Sequence, residues 1–499
     1  MKQSEMQRLM KLETRIYDIA RENGLEFCDI EFDVIPENKM FEIMAYGLPG
    51  QISNWKFGRD YEKTRTIYEK MGDGLPYEVV VNTVPSRAYL MKNNSIALQA
   101  LIVAHVVAHV AFFTMNKYHI EADSSIASRL ATASQRFDDY EKKYGIDIVE
   151  KTVDAGHSIM FHSNPWVKDE TEDEKRERIF ERMKQKQHDR TDTAFGDFFE
   201  DDSKADIDRE KWNHNLYMKL KNKSPVEPTE DLLRYIIDNS RSLSSWQKYI
   251  IEIIRQVGRY YWPIIKTKYI NEGFATYWHE KILRQLFNEN LLNANEHAEC
   301  NYSNSLVKMK SPYSMNPYLI GSELWTDIVR RWDTGQHGNE WNEIANHDLK
   351  LNYDNKAMKG HEKMFEILRT SNDWMFVNNY LTNDLVRELQ LYMYVQQTNP
   401  FFLEVVIADK DIDEIRQLII KSFSHSGIPK VFVENGNYNN NGELLLKHEH
   451  VGIDLYPEYT KKTLEHIGFL WGNKVVCDTK QGSSNHKYVA EWKEEESKA

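Results

Sequence analysis

A chain of 499 residues, 41% of them hydrophobic, can fill a large core and is long enough for two or three structural units, which excludes disorder throughout. Its charged residues, 28% of the total, sum to a net charge of -13, and this acidic balance excludes a general affinity for nucleic-acid backbones, which need clustered Lys and Arg. Only Cys28, Cys300 and Cys477 occur, far apart and odd in number, so neither a disulfide framework nor a Cys-based zinc site is supported and a reducing compartment is expected.

The first twenty-one residues mix Lys, Glu, Arg and Asp with isolated apolar residues. They lack the uninterrupted apolar core of a signal peptide, and the expected location is therefore cytoplasmic. Residues 4–24 carry helical spacing in Met6, Leu9, Met10, Leu12, Ile16, Tyr17 and Ala20, stopped by Asn23-Gly24. Three runs rich in Val, Ile, Phe and Tyr follow, at 26–35, 40–46 and 77–83, and each reads as a strand of a small sheet. Ile96 to Phe113 reaches about bilayer length. It nevertheless holds Gln99, His105 and His109 without flanking anchors, so it reads as a buried core helix and no transmembrane segment is expected.

Between 169 and 224 acidic and basic residues crowd out large aliphatics, which predicts a mobile or partly helical insertion closed by Pro225 and Pro228. Helices are expected at 229–239, 243–261, 264–289, 318–332 and 380–396. From 402 to 477 the pattern reads strand, helix, strand, strand, helix, strand, which matches a split-βαβ, ferredoxin-like unit. The charged tail after Gln481 reads as mobile. The fold class that results is α+β: a mainly helical body, a small N-terminal sheet and a ferredoxin-like C-terminal α/β domain. Its expected divisions are 1–168, the insertion at 169–224, a helical body at 225–399, the C-terminal domain at 400–480 and a tail at 481–499.

His105 and His109 stand four apart on the apolar helix, which places both imidazoles on one face and within reach of one metal ion. On a later helix, Glu272, Thr276 and His279 share a side, since seven residues make nearly two turns. A carboxylate and an imidazole among apolar neighbours are costly to bury unless paired, protonated or metal-bound. The alternative is a hydrogen-bonded network of core histidines with Glu272 and no metal. The closely spaced His448-Glu449-His450 reads as a solvated strand end.

Several rare strings accompany these residues: Asn54-Trp55-Lys56-Phe57-Gly58, His105 to His109 followed by Phe112-Phe113, and Asn271-Glu272-Gly273 to Trp278-His279. Asn316-Pro317-Tyr318 with Gly321, Lys363-Met364-Phe365-Glu366, Asn379-Tyr380-Leu381-Thr382 and Leu470-Trp471-Gly472 continue the series. In these the chain resembles the stage V sporulation protein R (SpoVR) family over nearly its whole length. The resemblance implies a cytoplasmic sporulation factor needed for the peptidoglycan cortex of the spore, without fixing a reaction. Phe274 and Tyr277 stand where relatives often carry Trp and either Phe or Tyr, which keeps an aromatic in place.

The order of sheet, helix with two histidines and later helix with Asn-Glu also resembles a zincin-type zinc peptidase. In such enzymes the two histidines and the later Glu hold zinc, while a Glu directly after the first His is the base. Here position 106 is Val and no His-Glu-x-x-His occurs. None of the 17 histidines follows a Glu at the spacing of a di-iron bundle. Two functions stay open. One is a metal-dependent hydrolase or amidase-like enzyme acting on a peptide or peptidoglycan precursor, with zinc on His105, His109 and Glu272, His279 as fourth ligand or support, and Glu272 as the catalytic group. The other is a non-enzymatic regulator that binds a protein of the cortex machinery.

Overall fold

The structure is a computed structural model that describes residues 3–47, 55–71, 78–120, 125–163, 165–166, 170–191, 202–221, 223–311, 314–398, 403–409 and 411–492. Asn54, Tyr77 and Phe402, which figure in the sequence reading, lie outside these residues. The chain divides into two compact units, each built from two stretches: Met1–Arg136 with Tyr260–Gly427, and Phe137–Arg259 with Ile428–Ala499. This differs from the consecutive segments that composition proposes, because packing rather than charge content groups the elements.

In the first unit, strands β1 (Ile30–Ile35), β2 (Glu78–Val81) and β3 (Ser86–Met91) form a sheet in the order β1-β3-β2. β1 runs parallel to β3 and β2 antiparallel to it, with Glu78 opposite Leu90. Two of the expected strands are present. The run at 40–46 is instead part of a helix, Glu37–Tyr46, begun after Pro36 and anchored by buried Met40 and Phe41. There the helical spacing of the apolar residues prevails over their strand propensity.

The helix Ile96–Met115 is the axis of this unit, and every residue from Ala97 to Phe113 is buried. Helices Gln3–Glu22, Lys268–Asn288, Ala294–Val307 and Gly360–Thr370 pack around it with β2 and β3. A helix apolar on all sides needs such complete enclosure. It is the one described helix long and apolar enough to cross a membrane, and here the protein itself covers it. Ser95 caps its start by accepting from the Leu98 amide, while Asn116 closes its end by donating to the Leu368 and Ser371 carbonyls.

The helix Lys268–Asn288 carries Glu272 and His279. No side chain of its own caps its first turn; Asp373, from the helix Asp373–Tyr380, accepts from the Tyr269 and Ile270 amides at 3.0 and 2.8 Å. This helix crosses Pro317–Thr334 at Gly273 and Gly321, where a Cβ on either residue would fall on backbone of the other helix. Trp325 seals the crossing by donating from its indole to the Ile270 carbonyl. The residue beside Glu272 is therefore glycine for a steric reason.

The helix expected over 380–396 is broken. Thr382 caps a short helix, Asn383–Glu388, Gln390 turns the chain at φ 55°, and β4 (Met393–Thr398) follows. β4 pairs antiparallel with β5 (Leu403–Asp409) in a two-stranded sheet. The first strand of the expected ferredoxin-like unit is thus taken by its chain neighbour, and that four-stranded arrangement does not form, consistent with the tendency of consecutive strands to pair.

The second unit contains a four-stranded sheet, β6 (Val431–Tyr438), β7 (Glu443–His448), β8 (Val475–Gln481) and β9 (Ser484–Ala490), in sequential order with β7 parallel to β8. The helix Pro457–Trp471 connects that parallel pair. β9 occupies part of the segment expected to be a mobile tail: Gly482, at φ 60°, turns the chain so that Ser484 pairs with Gln481. Within 169–224 lie two helices, Glu172–Thr191 and Asp202–Lys221, and Ile179, Leu220 and Val226 make a small cluster. His448 is buried and lies 2.8 Å from the Thr479 hydroxyl, which corrects its reading as a solvated strand end.

Replacing Gly321 by Ala should lower the unfolding free energy by about 1–3 kcal/mol through overpacking at the helix crossing. Chemical denaturation checks this, with Gly58→Ala as the control, since a Cβ there meets nothing within contact distance.

Candidate metal centre

Four side chains from three elements of the first unit converge at the centre of its core: His105 and His109, Glu272, and Glu78 from the first position of β2. His105 Nε2 lies 3.1 Å from Glu78 Oε1 and 3.7 Å from Glu272 Oε2. His109 Nε2 lies 4.0 Å from the same Glu78 oxygen and 3.4 Å from the same Glu272 oxygen. Ligand atoms about 2.0–2.2 Å from one zinc ion are separated by about 3.3–3.6 Å along the edges of a tetrahedron. The four distances bracket that spacing.

The remaining ring nitrogens fix which atoms face the centre. His109 Nδ1 is 2.9 Å from Asn271 Oδ1, an acceptor, so Nδ1 carries the proton and Nε2 is bare when the ring is neutral. His105 Nδ1 is 2.8 Å from His279 Nδ1. His279 Nε2 in turn lies 3.1 Å from Asn304 Oδ1. Both nitrogens of His279 are thus engaged away from the centre, and it stands behind His105. Of the four residues proposed from sequence, three meet at one point and the fourth supports one of them.

His105 Nε2 and Glu272 Oε2 are buried without any hydrogen-bond partner; the Glu78 oxygen at 3.1 Å is near enough for an ion pair but not aligned for a hydrogen bond. Two orphaned lone-pair acceptors aimed at one point fit a cation between them. Neutral imidazole nitrogens with carboxylate oxygens suit zinc, iron, copper and nickel alike. Glu78, His105 and His109 also offer three ligand atoms within 4.8 Å of one another. The Glu78 and Glu272 side chains keep 16% and 20% of their surface exposed, while Glu272 Oε2 and His105 Nε2 themselves are buried.

Burial by itself would lower the His105 pKa, yet the charges of Glu78 and Glu272 prevail and push it up to about 10. Burial would raise that of Glu272, but the His105 and His109 imidazoles close to it hold its carboxyl well below the usual range. His279 is lowered well below its ordinary value by burial and by the charge on His105. The Tyr318 hydroxyl, on the helix Pro317–Thr334, interacts with Glu272, and its ring is inclined 30° to that of His105 with the centroids 6.1 Å apart. The Glu272 charge, then burial, raise its pKa well above 10.

Glu78 escapes a reading of spacing because it comes from a strand, and Asn304 because nothing in the sequence around it marks a site. Tyr318 was visible only as part of the string Asn316-Pro317-Tyr318.

A family model described as SpoVR like protein matches residues 3–428, and a second, described as SpoVR-like C-terminal domain, matches 429–482. The chain belongs to the SpoVR family. Within it, a protein of Escherichia coli (strain K12) described as uncharacterized protein YcgB is 26% identical over 484 residues, covering 92% of this chain and 89% of that protein. No solved structure matches the chain. The boundary between the SpoVR matches falls next to Gly427 and Ile428, where the chain passes from the first compact unit to the second.

In the metal-free protein, a folded His105 pKa raised above 6.5 gives stability that is fully present below about pH 6.5 and lost as pH rises through about 10. The stability difference between chelator-treated wild type and His105→Gln should therefore shrink between those pH values, as read by urea unfolding at each.

Proposed function

We propose that this SpoVR family member is a zinc-dependent hydrolase of amidase or peptidase type, acting on a peptide or peptidoglycan precursor. The observation that carries this reading is the meeting of Glu78 and Glu272 with the Nε2 atoms of His105 and His109 in the core of the first unit. His105, His109 and Glu272 would hold the ion, as their helices fix them most closely. Bound there, zinc supplies Lewis-acid chemistry, polarising an amide carbonyl and making water more acidic.

The residues around it divide the remaining work. Glu78 supplies the carboxylate that the absent His-Glu-x-x-His would have carried: on β2 rather than on the helix, it reaches the same two imidazoles and can take a proton from an attacking water and return it to the leaving nitrogen. Tyr318 keeps its proton at neutral pH and can donate a hydrogen bond to an oxygen that gains negative charge. The apolar walls limit access of bulk water. The setting we propose for this chemistry is the one implied by the family resemblance, formation of the spore cortex from the cytoplasmic side.

Purified protein should contain about one zinc per chain by elemental analysis. Glu272→Gln should lose most of it and still fold, whereas Glu78→Gln should retain zinc and lose cleavage of peptidoglycan stem peptides. Carefully prepared wild type without stoichiometric transition metal overturns the reading. Retained cleavage in Glu78→Gln removes that residue as the base.

A further inference from the structure

His105 is held by a chain of polar contacts that runs outward from the core through residues the site itself does not use. Lys308 Nζ lies 3.2 Å from Glu280 Oε1 and 3.0 Å from Glu323 Oε1, and a carboxylate oxygen facing an ammonium accepts. Asn304 Nδ2 donates to Glu280 Oε1 at 2.7 Å. That contact decides the amide orientation: with Nδ2 on Glu280, Oδ1 faces His279 Nε2. Since Oδ1 can only accept, His279 carries its proton on Nε2 and presents a bare Nδ1. The partner of that atom is His105 Nδ1, so the proton between the two rings belongs to His105.

We propose that Asn304, oriented by Glu280 and Lys308, is a positioning residue that selects the tautomer of His279 and through it turns the unprotonated Nε2 of His105 toward the metal centre. The helices supply the geometry. Glu280 and His279 are consecutive on Lys268–Asn288, while Asn304 lies on Ala294–Val307, so one amide bridges two neighbouring side chains of the facing helix. Without Asn304, His279 is free to hold its proton on Nδ1, and that proton would face His105 Nδ1. His105 would then have to place its own proton on Nε2, the atom the centre requires bare. Partners behind a metal-binding imidazole typically change metal affinity by about 10- to 100-fold. His279 is accordingly a support for His105 and not a fourth ligand.

This inference rests on the metal reading for its consequence but not for its first test. Nitrogen-15 NMR of the imidazoles in chelator-treated full-length wild type reads the tautomer directly, and should show His279 protonated on Nε2. Asn304→Leu should bind added zinc about 10- to 100-fold more weakly. The double variant Glu280→Gln/Asn304→Asp keeps an acceptor facing His279 and a donor toward its other oxygen, and should bind zinc within a few-fold of wild type. A wild-type His279 protonated on Nδ1 overturns the assignment, as does wild-type zinc affinity in a folded Asn304→Leu. If Asn304→Leu does not fold, a folded Glu280→Gln/Asn304→Asp with zinc affinity reduced about 10-fold or more overturns it equally. Wild type that shows the Nε2 pattern yet binds no zinc rejects the metal reading alone and leaves the tautomer assignment standing.

Discussion

Ionisable groups placed inside an apolar core must be compensated, and the first unit is organised by that requirement. The helix Ile96–Met115 is buried on all sides, and its two imidazoles have nowhere to turn but toward neighbouring elements. Those elements offer Glu78, Asn271, Glu272 and His279. Two carboxylates removed from water against neutral rings are unfavourable by several kcal/mol unless a positive charge lies between them. A proton on His105 meets that need in the metal-free state. A divalent cation meets it with more charge and with directed bonds.

The same requirement accounts for the precision of the surrounding helices. Glu272 reaches the centre because Gly273 and Gly321 let two backbones approach without intervening side chains. The first turn of its helix is fixed by Asp373, which takes up amides that would otherwise be unpaired in the core. A shift of one ångström in either feature would separate Glu272 from His109.

Much of the centre was legible in the sequence, since a four-residue spacing of histidines and a seven-residue spacing of Glu and His encode helix faces directly. The helices at 96–113 and 264–289 appear with nearly those limits because their apolar runs are long. Glu78 was not legible: a strand residue is brought to the helix by pairing with β3, and strand pairing is not written in local periodicity. The errors at 40–46 and 380–396 have a related origin, for Met40 and Phe41 serve a helix as well as a strand, and β4 is defined by its partner β5. The tail after Gln481 looked unable to order by composition, yet a glycine turn lets it pair along the free edge of β8.

Each compact unit is interrupted in sequence by the other, and this sets an order of events during synthesis. His105 and His109 leave the ribosome long before Glu272, with the entire stretch Phe137–Arg259 made in between. Throughout that interval the most apolar segment of the chain has no helix Lys268–Asn288 to cover it, and its two imidazoles have no carboxylate from that helix. The nascent chain therefore passes through a stage in which a long sticky helix is unsheathed, and holding it apart from other chains falls to the ribosome surface, to chaperones, or to the early partners Gln3–Glu22 and the β1-β3-β2 sheet.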